Sequence, residues 1–262
     1  MSLSGKTVKG SYKDVLQMDN SNSGVDTSTR IIKDGEGTDT ALRLSDDVVI
    51  IRPVNDNTTA AFSVADQGGT SLLVVDSSNS KVSALGNYLN TQYAHFGIAN
   101  DVSDSWLAGA HHPVPFSATM GAVTNDQTSF GTGTDPATTF TTADSNDERA
   151  SDIVRYCWYL PDAISIDAIV SLEGADNATG DTTRFHAFSY DFTSGATSCL
   201  TNGTLLAHNS DTTNAGSEQP YSSSWTIDSA AVAAGKVILA FFESDSVNSD
   251  YSLNITVKYH LT

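Results

Sequence analysis

Residues Phe62–Val82, FSVADQGGTSLLVVDSSNSKV, decide the fold class. Apolar and polar residues alternate through them, Gly68-Gly69 interrupts the alternation, and Leu72-Leu73-Val74-Val75 runs into a second break at Asp76-Ser77-Ser78-Asn79. Alternation with period two marks a half-buried strand, and a Gly-Gly pair supplies the positive φ of a primed hairpin turn. The expectation is a hairpin turning on the two glycines. A lone hairpin is not stable in water, and no long apolar segment follows this one to cover it. Packing against copies of itself on other chains solves that problem most simply.

Toward the N-terminus the same grammar continues. Arg30–Lys33 reads as a short strand, Asp34-Gly35-Glu36-Gly37 as a tight turn, and Ala41–Ile51 as a hairpin broken at Asp46-Asp47 and ended by Pro53. Asp19–Thr29 is a run of turn-formers and reads as an exposed loop. Ser11–Met18 has a capping serine with Tyr12, Val15 and Leu16 on one helical face, which predicts a short helix behind an unstructured arm.

Asp34–Ile51 and Phe62–Val82 resemble the N-terminal attachment modules of tailed-phage fibres, especially the short fibre-like proteins of marine phages. The resemblance extends to TGTDPATTFTT from Thr132, WYLPDAISIDAIV from Trp158, GADNATGDTTR from Gly174 and SDSVNSDYSLNITVKYH from Ser244. It rests on turn-and-strand patterns and not on a catalytic signature. It implies a virion structural protein that anchors by its N-terminal part. Extended β units of this kind are commonly built from three interwound chains, so a homotrimer is expected.

Composition narrows the alternatives. In 262 residues, 13 Lys and Arg face 31 Asp and Glu, a formal charge of -18 that excludes nucleic-acid binding by phosphate neutralisation and disfavours anionic membranes. A hydrophobic content of 39% is too high for a disordered acidic tail. Met1–Gly10 carries two lysines but no apolar core, and no apolar run reaches the length of a membrane span, so synthesis in a host cytoplasm is expected. That compartment disfavours a Cys157–Cys199 disulfide, and Cys157 reads as a small buried side chain.

Leu85–Ala110, with Tyr88, Tyr93, His95, Phe96 and Trp106 irregularly spaced between glycines, reads as a junction. Beyond Pro113 the strands lengthen. Asp152–Leu160 reads as a buried strand stopped by Pro161. Ile164, Ile166, Ala168 and Val170 alternate, as do Phe185, Ala187, Ser189 and Asp191 against His186, Phe188, Tyr190 and Phe192. Lys236–Glu243 and Tyr251–His260 complete the set, and Ala230–Gly235 suggests one helical turn. Six to eight strands with long connections favour a jelly-roll β-sandwich. The expected all-β organisation is an arm over residues 1–20, a hairpin-rich trimeric anchor and shaft over 21–90, a junction over 91–115, and a jelly-roll head over 116–262.

No catalytic, cofactor or metal site emerges. His111-His112 are adjacent, so in extended chain they point to opposite faces and grip one metal poorly; they read as a loop into Pro113. The alternate acids of Ala143–Glu148 imitate a calcium loop, but Arg149 and Arg155 occupy the turn-glycine and bidentate-acid positions. Asp176-Asn177 with Asp181 form a similar acidic turn. Ser78-Asn79-Ser80-Lys81 spells S-x-x-K in a hairpin turn, where that chemistry has no helix and no pocket. The sequons at Asn57, Asn177, Asn202 and Asn254 lack a secretory context. Paired carboxylates for glycan cleavage are not placed across one groove, so binding and not bond-making is expected.

The reading is a tail-fibre-like virion protein presenting a head for host attachment. Tyr12, Lys13, Arg30 and Lys33 are candidate anchoring residues because they include several of the anchor's few cations, and Tyr221 and Trp225 are candidate contacts to a host surface glycan. The alternatives are a capsid decoration protein or head fibre that stabilises the shell, and a free carbohydrate-binding module. Other virion proteins, of tail or capsid, are the expected partners.

Overall fold

A computed structural model describes residues 13–21, 23–100, 107–117, 129–141, 150–176, 179–215, 219–245 and 250–262. The chain is all-β and divides into two compact units, Met1–Leu89 and Asn90–Thr262.

The first unit holds two four-stranded antiparallel meanders. One comprises β1 (Gln17–Met18), β2 (Arg30–Lys33), β3 (Asp39–Leu44) and β4 (Val49–Ile51); the other comprises β5 (Phe62–Ala65), β6 (Ser71–Asp76), β7 (Lys81–Ala84) and β8 (Asn87–Tyr88). The two are a structural repeat. β2 and β5, β3 and β6, and β4 and β7 each begin 32 residues apart. The repeat is pinned by a shared D-x-x-G-T turn at Asp34–Thr38 and Asp66–Thr70. In each, the aspartate carboxylate accepts the threonine N–H at 2.8 Å, and the glycine (Gly37, Gly69) adopts the positive φ that closes the turn. The hairpin at Phe62–Val82 therefore forms as expected, but its turn spans Asp66 to Thr70 and does not rest on the two glycines alone. Only Gly69 of the pair has positive φ, at 87°. The described part of the predicted Ser11–Met18 helix is a turn followed by β1, because Gln17 and Met18 pair with Lys33 and Ile32.

The second unit is a sandwich of two antiparallel sheets. Its strands are β9 (Thr91–Asn100), β10 (His112–Val114), β11 (Trp158–Tyr159), β12 (Ile164–Asp176), β13 (Thr182–Phe192), β14 (Leu200–His208), β15 (Thr212–Thr213), β16 (Pro220–Ser224), β17 (Thr226–Ile227), β18 (Ala231–Val232), β19 (Lys236–Ser244) and β20 (Asp250–Leu261). One sheet runs β10-β19-β13-β14-β17, with β11 also on β19 and β15 on β13. The other runs β16-β12-β20-β9, with β18 on β12. The residues expected to form a junction, 91–115, are instead strands of the sandwich over 91–100 and 112–114: β9 pairs with β20 from Tyr251↔Asn100 to His260↔Thr91. Trp106 lies outside the described residues.

Two apolar clusters flank the first of these sheets. Between the sheets, Phe96, Ile169, Leu253 and Ile255 meet Phe185, Leu206, Ile238 and Phe242. On its outer face Phe188, Tyr190, Leu239 and Phe241 are covered by Phe130, Phe140, Ile153 and Tyr156. This second layer explains why β19, KVILAFFES, is apolar at consecutive positions and buried from Val237 to Ser244.

Three local expectations change. Asp152–Leu160 is not one strand: a helical turn, α1 (Ala150–Ile153), passes into a 3₁₀ turn at Val154–Tyr156, and Trp158–Tyr159 alone of these residues form a strand. Ile153 and Tyr156, three apart, both face the outer cluster, and that spacing is helical. Ala230–Gly235 contributes β18, not a helix. In β12 the register against β20 shifts between Ile166 and Ala168, so the extra residue reverses the alternation. Ile164 and Ile166 point inward, but beyond the bulge Ile169 is buried and Val170 is 46% exposed.

Candidate functional site

The described residues of the first unit form no core of their own. Ile32 is the one buried hydrophobic side chain among its described residues. In the second meander, paired residues across three strands place Phe62, Val75 and Val82 in one row and Val64, Leu73 and Ala84 in the next. Directly paired residues point to the same face, so six apolar side chains form one uninterrupted patch without a charge. Phe62, Val64 and Val82 remain 40%, 42% and 40% exposed. Val48–Ile51 of the first meander are exposed as well. Monomeric proteins rarely leave such a surface in water, where each fully buried side chain of this class gains about 1.5–3 kcal/mol.

The candidate anchoring cations are engaged within this unit. Lys13 pairs with Glu36, Arg30 with Asp26 at 2.9 Å, and Lys33 with Asp19 and Asp39 at 3.1 and 3.4 Å. The Arg30 bond holds the Asp26 carboxyl below its usual range, and the carboxylates raise Lys33. They are members of local ion pairs, not a free basic surface. Tyr12 lies outside the described residues.

The candidate glycan-contact residues also have structural partners. Trp225 is 7% exposed, stacks on Phe185 with ring centroids 5.6 Å apart, and donates its indole N–H to Ser171 Oγ at 2.9 Å. It belongs to the inter-sheet core and not to a receptor surface. Beside it, Thr183 Oγ1 donates to the buried Glu173 carboxyl at 2.7 Å, and desolvation raises the pKa of Glu173. Tyr221 is half-buried; its hydroxyl accepts the Ala215 N–H at 2.8 Å.

His111 and His112 are not an exposed loop. Both are buried, and His112 opens β10. His112 Nε2 accepts the Leu107 N–H at 2.9 Å, while His111 donates to the Gly133 carbonyl at 2.9 Å. The His111 ring meets that of His186 edge-on, centroids 5.1 Å apart, and His186 Nε2 lies 3.3 Å from Asp135. Burial, then the neighbouring His111, lowers the pKa of His186 to about 4, so this contact is made by a neutral imidazole at pH 7. Next to it Arg184 grips Asp211 through two bonds of 2.8 and 2.6 Å. Among the described residues no group of three His, Cys, Asp or Glu side chains is arranged to hold a metal. The calcium-like run Ala143–Glu148 lies outside the described residues, and Asp181 contributes its main chain, accepting the Asn214 N–H at 2.9 Å.

The feature that sequence reading missed is the 32-residue repeat, although the two D-x-x-G-T turns announce it. Among the described residues no helix is long and apolar enough to cross a membrane. No protein-family model and no curated protein matches this chain.

Proposed function

We propose that this chain is a fibre-like structural protein of a tailed phage, acting as a homotrimer by binding and geometry and not by catalysis. The observation that carries the reading is the uncovered apolar face Phe62–Val64–Leu73–Val75–Val82–Ala84 on a unit whose described residues include one buried hydrophobic side chain. A repeat unit that cannot bury its apolar face alone is stabilised by stacking on equivalent units. Identical chains arranged around a common axis offer the same patch at every contact. The absence of carboxylates on this face, in a chain of charge -18, lets copies meet there without repulsion.

In this reading the first unit forms the shaft and attaches to another virion protein of tail or capsid. The second unit is a jelly-roll head that binds a host surface glycan. Eight strands taken in chain order, β9, β10, β12, β13, β14, β16, β19 and β20, support the jelly roll. The first, eighth, third and sixth share one sheet, and the second, seventh, fourth and fifth share the other, the interlocked order of two Greek keys. Three heads on one shaft raise avidity without any new contact.

Sedimentation of the purified chain tests the reading. The expected species is three times the 27.6 kDa chain mass, and Val82→Asp together with Phe62→Asp should shift it toward monomer. A wild-type monomer would overturn the proposal. Immunogold labelling of virions with antibody against the second unit then locates it: gold on the tail supports the fibre reading, and gold over the capsid replaces it with a decoration protein.

A further inference from the structure

The second unit carries a cavity that its sandwich fold does not require. It has a volume of about 450 Å³ and opens beside the loop joining β13 to β14. Buried Ile153 and Val237 contribute to its lining, as do Cys157 and Cys199, while Tyr159 and Phe192 are 54% and 43% exposed at it with ring centroids 6.4 Å apart. Among the described residues that line it there is no Asp, Glu, Lys, Arg or His, although the chain has 31 carboxylates. Small-molecule sites are commonly cavities of about 300–1,000 Å³ with mostly apolar walls.

We infer that this cavity is a binding site for a small, neutral, largely apolar molecule. Three features combine here. A volume of about 450 Å³ suits such a ligand. The two exposed rings give an aromatic guest faces and edges to pack against at the cavity. A charged ligand would be desolvated with no counter-charge among the described wall residues, which selects for a neutral one. The thiols do not alter this: Cys157 donates to the Ile153 carbonyl at 3.4 Å, and burial pushes its pKa up to about 12, so it remains an uncharged wall at neutral pH. The site is independent of the trimeric shaft and belongs to the second unit alone.

The two cysteines of the chain both line this cavity, so thiol chemistry reports its occupancy without ambiguity. The experiment titrates the full-length protein with N-phenyl-1-naphthylamine, a neutral probe that brightens in apolar surroundings. In parallel, N-ethylmaleimide labelling of Cys199 is followed by peptide mass. The expected result is saturable binding of one probe per chain, with labelling slowed at least several-fold at saturation. Ala196→Trp, on the loop at the mouth, should fill the cavity and weaken probe binding at least tenfold. Binding that leaves the wild-type labelling rate unchanged places the probe elsewhere, such as the apolar face of the first unit, and overturns the inference. Absence of saturable binding overturns it too. The labelling readout uses the wild-type chain, so the test stands even if Ala196→Trp does not fold.

Discussion

Acid should destabilise the second unit through His186, and the size of the effect follows from its surroundings. The side chain is 4% exposed, in edge contact with His111, near Arg184 and 3.3 Å from Asp135. The desolvated imidazole resists protonation, and the carboxylate of Asp135 only partly offsets the penalty. In the unfolded chain the ring titrates near 6.5; in the folded unit it titrates near 4. Between those values the unfolded state binds more protons, so stability is unaffected above pH ~6.5 and declines as pH falls toward ~4. At 1.36 kcal/mol per unit, the loss is about 3 kcal/mol, a large part of the 5–15 kcal/mol by which domains are stable. Residues 1–89 hold no tryptophan, so urea unfolding of the whole chain followed by tryptophan emission reads the second unit. Other groups shift as well: burial lowers His111, whereas burial raises Glu173 and Glu243 and gives them the opposite slope. The comparison with His186→Gln removes their contribution. Between pH ~7.5 and ~4.5 the wild type should lose about 2–3 kcal/mol more than the variant. Equal losses in the two proteins would refute the reasoning.

Other outcomes follow from single contacts. Glu173→Gln should stabilise the second unit more at pH ~8 than at pH ~5: a carboxyl whose pKa is raised in the folded state loses stability as pH climbs through that value, and the amide does not. Urea midpoints at both pH values check this. Gly203→Ala should destabilise by about 1–3 kcal/mol, because the added Cβ falls 2.6 Å from the buried Tyr190 ring and 2.9 Å from the Thr138 backbone; thermal unfolding measures it. Trp225→Phe keeps the ring against Phe185 but leaves Ser171 without its indole donor. A loss of about 1–3 kcal/mol is expected, with glycan binding, if the protein shows any, unchanged. Weakened glycan binding by a folded Trp225→Phe protein would restore that residue as a contact.

The all-β class, the hairpin at Phe62–Val82 and the long strands of the C-terminal half were legible because each depends on local pattern. Period-two alternation and turn residues act over a few neighbours. So does the D-x-x-G-T turn, whose aspartate caps its own loop. The boundary between the units falls at Leu89–Asn90, whereas the lengthening of the strands was legible only beyond Pro113, because the irregularly spaced aromatics and glycines of β9 hide its period. The 32-residue repeat was written in the sequence as well, but only at its turns; the strands between them vary because a β face tolerates many apolar residues.

What tertiary structure alone decided depends on partners distant in sequence. Asp152–Leu160 has the composition of a strand, yet Ile153 and Tyr156 curl into a helical turn because the outer face of β13 and β19 needs a lid. The bulge after Ile166 sends Val170 outward and Ile169 inward, a reversal that only the register with β20 fixes. Trp225 becomes core because Phe185 and Ser171 come from strands far along the chain. The cavity at Cys157 and Cys199 joins segments about 40 residues apart, and its neutrality comes from which faces turn toward it. Sequence by itself determined the local vocabulary of strands, turns and charge, since those energies are set by adjacent residues. Which side chains share a core, a cavity or an exposed face was decided by long-range pairing, because burial is a property of the packed chain and not of any one segment of it.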